Sequence, residues 1–114
     1  MASQGFVAPI APGKTAAWKA FRDQLNGPRR KEFEAQQKRL GNTRHTAWLQ
    51  QTPMGDLVVL YFEGKDPAQF MSKIASSKDP FDTWFKQQVK EVHGLDFSQL
   101  AAAPVPEVGV EYKA

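Results

Sequence analysis

The chain reads as apolar stretches of two different periods, punctuated by glycine and proline. Residues 5–10 carry Phe6, Val7 and Ile10, which favour a strand. Pro9 lacks the N–H of a central strand, so it belongs at a strand end or a sheet edge. Over residues 14–26, Trp18, Phe21 and Leu25 recur at i, i+3 and i+7, the stripe of a helix. Asn26-Gly27-Pro28 breaks it, and Pro28 suits the first turn of a second helix running to about Leu40. Only Phe33 and Leu40 make that helix apolar on one face, so it should lie on the surface, with Gly41 ending it. Residues 43–52 and 57–63 read as two strands, joined into a hairpin by Pro53-Met54-Gly55-Asp56.

Two helix starts follow. Asp66-Pro67-Ala68-Gln69 offers a cap, a proline at N1 and a glutamine at N3, as in a capping box, ahead of Phe70, Met71 and Ile74. Asp79-Pro80-Phe81-Asp82 repeats the signal, and Phe81, Trp84, Phe85, Val89 and Val92 keep helical spacing as far as Gly94. Residues 101–106 are rich in alanine and proline and read as extended. Val108, Val110 and Tyr112 then alternate with Gly109 and Glu111, the pattern of a last strand. The predicted order is β-α-β-β-α-β with both helical regions split. That is a ferredoxin-like α+β fold on an antiparallel four-stranded sheet. At 114 residues the chain suits one domain, with a core over 5–98 and a tail over 99–114.

The strand at 57–63 sets a further condition. One alternating set is Leu57, Val59 and Tyr61; the other is Val58, Leu60 and Phe62. Both are apolar, so both faces of the sheet should be covered. The helices can cover one, and the other calls for a second subunit, hence a homodimer.

Composition narrows the function classes. No cysteine is present, which excludes disulfides, thiolate catalysis and cysteine-ligated metals and sets a cytoplasmic location as the expectation. No apolar run approaches membrane-spanning length, and MASQGFVAPIAPG lacks the basic start and apolar core of a signal peptide. Residues 1–50 hold nine Lys/Arg against three Asp/Glu, and residues 51–114 hold six against nine. The basic excess alternates with Glu32 and Glu34 and has no aromatic RNA-binding motif beside it, so it reads as a solvated helix face and not as a nucleic-acid site.

Four stretches carry a resemblance: Pro12-Gly13-Lys14-Thr15, Gly27-Pro28-Arg29-Arg30, Trp48-Leu49-Gln50-Gln51-Thr52-Pro53, and Asp79-Pro80-Phe81-Asp82 followed by Trp84-Phe85. Through them the chain, over about residues 5–98, resembles uncharacterised small bacterial proteins of the dimeric α/β-barrel superfamily. The resemblance implies a dimer in which two four-stranded sheets face each other. The superfamily holds monooxygenases of the antibiotic-biosynthesis type, haem-degrading enzymes, muconolactone-isomerase-like enzymes and stress-induced proteins. No catalytic set of those branches is matched here, and a shared fold does not carry a reaction with it.

Several residues are candidates for chemistry. His45, on the face shared with Ala47 and Leu49, has the residue type of a general base or haem ligand, or of a hydrogen-bonded core histidine. Arg44 and Trp48 share the opposite face with Thr46 between them. That stripe suits a carboxylate or a flat ring; the plainer alternative is Trp48 packed on the helices with Arg44 at the rim. Arg29 and Arg30 open a helix whose dipole opposes them, which fits an anionic ligand or partner carboxylate, or a tolerated surface pair. Trp84 reads as core, with the capacity to wall a pocket. His93 reads as structural. The ligand-binding candidates are thus His45, Arg44, Trp48, Tyr61, Trp84 and Arg29. The pattern has no phosphate loop and no metal-protease or calcium motif, so no metal or cofactor is expected. Two functions stay open. One is a dimeric protein binding a small apolar or aromatic molecule between sheet and helices. The other is a small cofactor-free monooxygenase or isomerase working in the same place.

Overall fold

A computed structural model of the chain describes residues 2–114. The order is β1 (Ala2–Pro9), α1 (Thr15–Asn26), α2 (Arg30–Leu40), β2 (Asn42–Thr52), β3 (Gly55–Gly64), a 3-10 turn (Pro67–Gln69), α3 (Phe70–Ser76), α4 (Pro80–His93) and α5 (Phe97–Ala102). The three strands form one antiparallel sheet in the order β1-β3-β2. The protein is therefore α+β, and the predicted hairpin is its centre. Pro9 ends an edge strand, where its missing N–H costs no ladder bond. Among the described residues no helix is long and apolar enough to cross a membrane.

The register places Phe6, Ala8, Val58, Leu60, Phe62, His45 and Leu49 on one face. There Val58 and Phe62 meet Phe70, Ile74, Phe85 and Val92 from the helices, and Phe62 and Ile74 are fully buried. The other face carries Val7, Val59, Tyr61, Arg44, Thr46 and Trp48. Val7 and Trp48 are 56% and 48% exposed there. The end of α4 is stitched to the sheet where the Ala11 N–H donates to Val92 O at 2.9 Å, and the Ile10 N–H to Asp56 O at 2.9 Å.

Glycine is needed at two points. Gly41 caps α2 in the left-handed region at φ 73° and leads straight into β2. Gly64 lies against that corner: a Cβ there would stand 2.4 Å from Gly41 O and 2.8 Å from the Asn42 Cα. The hairpin can close on the end of α2 only if residue 64 has no side chain.

Some expectations are corrected. The alternating residues Val108, Val110 and Tyr112 form no strand; they are 72%, 97% and 87% exposed, and among the described residues no strand pairs with them. The sheet has three strands, not the expected four, and the tail is tied to β1 where Gln4 Nε2 donates to Pro106 O at 2.9 Å. Pro28 lies in the turn before α2, and Arg29 caps that helix. Asp66 makes no side-chain cap, and the segment after it begins as a 3-10 turn. The capping box occurs instead at Asp96 and Gln99, where it opens α5, a helix that periodicity did not predict. Asp79 does cap α4, accepting from the Phe81 and Asp82 N–H groups.

Candidate functional site

The sheet and helices do not close completely on each other. Between them lies a cavity of about 230 Å³. Its floor is Val58, Leu60 and Phe62 of β3. Its roof is Trp18 and Phe21 of α1, Phe33 of α2 and Phe85 of α4. These are the residues that the two periodicities turn towards each other, period two from the sheet and period 3.6 from the helices. The polar groups lining it are Arg22, Asn26, Arg30, His45 and His93.

His45 is held among three rings. Its centroid lies 4.4 Å from Phe62, 5.1 Å from Phe33 and 5.5 Å from Phe70. Its Nδ1 is buried without a hydrogen-bond partner. Burial disfavours the imidazolium and pushes the pKa down to about 3, so the ring is neutral at ordinary pH. His93 differs in that its Nδ1 lies 2.7 Å from Pro9 O. Burial lowers its pKa, and the carbonyl contact partly opposes that. Arg22 and Arg30 reach the cavity from half-exposed positions, each already paired on its own helix: Arg22 with Asp23 at 3.0 Å and Arg30 with Glu34 at 3.3 Å.

The six sequence candidates fall into three places. His45 alone lines the cavity. Arg44, Trp48 and Tyr61 stand on the uncovered sheet face, with the Arg44 guanidinium 5.4 Å over the Tyr61 ring and its Nη1 3.8 Å from Glu63. Trp48 does not pack on the helices. Arg29 and Trp84 meet at the seam of α2 and α4, the guanidinium 4.2 Å over the indole. Arg29 also pairs with Glu32 at 3.5 Å, so its guanidinium lies between a carboxylate of α2 and the indole of α4.

The seam also holds the best-built polar cluster. Asp82 is fully buried and accepts from Gln36 Nε2 at 2.8 Å, Ser77 Oγ at 2.6 Å and both Arg39 nitrogens at 2.9 and 3.0 Å. Burial alone would raise its pKa, but the donors Arg39, Ser77 and Gln36 outweigh it and hold the carboxyl below its ordinary value. Every acceptor site is spoken for, and none of the four residues lines the cavity, so the cluster joins α2 to α4 and offers nothing to a ligand.

Sequence reasoning did not place His93, Arg22 or Phe97 at the cavity. For Arg22 a signal existed: it follows Phe21 and stands four residues after Trp18, on the edge of the buried stripe of α1. For His93 there was none, because its position depends on β1 ending beside the last turn of α4. Among the described residues no three His, Asp or Glu side chains cluster as metal ligands. No family model matches the chain, and no curated protein and no solved structure matches it.

Proposed function

We propose that this chain is a ferredoxin-like subunit of a dimeric α/β barrel that binds a small apolar or aromatic molecule between its sheet and helices. The observation that carries the reading is the cavity of about 230 Å³ walled by aromatic side chains with few polar groups. An engineered apolar cavity of roughly 150 Å³ already accepts benzene, so the space is sufficient. The monooxygenase or isomerase reading is less well supported. A general base should titrate near the working pH, whereas His45 titrates at about 3 and makes no hydrogen bond to a carboxylate. Titration with benzene, followed by nuclear magnetic resonance, tests the proposal. The resonances of Val58, Leu60 and Phe62 should move, and those of Val7 and Trp48 should not. Shifts confined to the uncovered face, or none at all, would reject it.

A further inference from the structure

We infer that the molecule held in this cavity is a small aromatic carboxylate, its ring among the phenylalanine side chains and its carboxylate at the mouth beside Arg22 and Arg30. The inference rests on the cavity being a ligand site and adds the class of ligand. The lining is charged in one sense only. Arg22 and Arg30 line the cavity, and no Asp or Glu does. Burial disfavours the charged form of both lining histidines, so the positive charge of the wall is that of the two arginines. The chain brings these to one corner. Arg22 and Asn26 stand four residues apart on one face of α1. The Arg29 N–H then donates to Gln24 O at 2.9 Å and the Arg30 N–H to Gly27 O at 3.1 Å, a tight turn that sets Arg30, the first residue of α2, close after the end of α1. That corner is also the mouth. Of the lining residues, Asn26, Arg30 and Ala47 are the exposed ones, so the cavity meets water between the α1–α2 turn and β2.

Each guanidinium lies against a ring of the cavity wall. Arg22 Cζ is 5.8 Å from the centroid of Trp18, and Arg30 Cζ is 5.8 Å from that of Phe33. Their partners within the chain hold them weakly. Asp23 and Glu34 do not line the cavity, their side chains are 68% and 55% exposed, and exposed ion pairs of this kind contribute little. A carboxylate anchored at the mouth by its own buried ring can displace them, and the guanidinium fork matches its two oxygens. The interior selects the ring. Phe21, Phe33, Phe62, Phe70 and Phe85 are buried around a space of about 230 Å³. Roughly 150 Å³ suffices for benzene, which leaves room for a short acid arm. An aromatic cation would meet like charge at the mouth, and a neutral ring would gain nothing from the two arginines.

Phenylpropionate, phenylpropanamide and phenylpropylamine share a ring and differ in the charge at the other end. In calorimetric titration of the wild type at neutral pH, the acid should bind about tenfold more tightly than the amide, the effect of one charge-assisted hydrogen bond. The amine should bind no better than the amide. The double variant Arg22→Gln with Arg30→Gln should lose the preference for the acid and still bind the amide. Lys31→Gln removes the same kind of charge from an exposed residue that does not line the cavity, and should keep the preference. If the double variant does not fold, the wild type still answers through the ¹⁵Nε resonances of Arg22 and Arg30, which the acid should move and the amide should not. Equal affinity for acid and amide, an amine bound as tightly as the acid, a preference that survives the double variant, a preference lost in Lys31→Gln, or arginine resonances that do not respond to the acid would each overturn the inference while leaving the cavity a ligand site. Failure of all three probes to bind would instead remove the ligand site itself, and the inference with it.

Discussion

His45 and Asp82 show two ways of burying a titratable side chain. His45 is buried neutral, and this gives stability a pH dependence. An unfolded histidine takes up its proton near pH 6.5, whereas folded His45 does so only at about 3. Between those values the unfolded state binds more protons. The stability is therefore full above about pH 6.5 and is lost as pH falls towards 3, at up to about 1.4 kcal/mol per pH unit. His93 acts with the same sign. The urea midpoint should fall between pH 6.5 and 5, where most carboxylates stay ionised, and His45→Phe should flatten that fall. An unchanged slope in the variant would reject this account. Asp82 is buried charged and fully bonded. Asp82→Ala leaves Gln36 Nε2 without its acceptor and Arg39 without its best partner, and should cost about 3 kcal/mol in chemical denaturation. A loss below about 1 kcal/mol would mean that the cluster does not hold the seam. In the sequence Asp82 showed only its helix-start position. Its partners Gln36 and Arg39 sit in a polar run that reads as surface, and nothing local reveals that two such runs meet.

The elements were legible where a period was long enough to repeat. The hairpin and the helices α1 and α4 follow from alternation and from the 3.6-residue stripe. Helix α5 did not, because Phe97, Leu100 and Ala101 make too few repeats and its capping box is the stronger signal. The tail failed in the opposite direction. Val108, Val110 and Tyr112 have the alternation of a strand, but a strand also needs an edge to join, which is not a local property. The cavity was legible only as far as His45, whose face the strand period gives; its roof depends on how helices lie across the sheet. At this scale Gly64 supplies a sharp prediction. Gly64→Ala drives a methyl group into the backbone of Gly41 and Asn42 and should destabilise the protein by about 1–3 kcal/mol. Gly5→Ala, whose added carbon would stand an ordinary 3.7 Å from Leu60 O, should change stability by less than about 0.5 kcal/mol. Equal melting temperatures for the two variants would contradict this reading.

For the whole molecule, the uncovered sheet face is the feature that sequence and structure both mark. Its central strand alternates apolar on both sides, and Val7 and Trp48 are left exposed on the side without helices. The proposed dimer predicts a native mass twice the 12.8 kDa of the chain by light scattering, and Trp48→Glu should shift it towards the monomer while leaving the cavity able to bind. A wild-type monomer at every concentration would end the barrel reading. The order of strands has a kinetic consequence as well. β2 meets β3 across a tight turn, but β1 reaches β3 only after α1, α2 and β2 have been looped out, since Pro9 pairs with Leu57. Closing a long loop is slower than closing a short one. Refolding should therefore proceed from the hairpin outwards, with β1 docking late. In pulsed hydrogen exchange, amides of β2 should gain protection before those of β1.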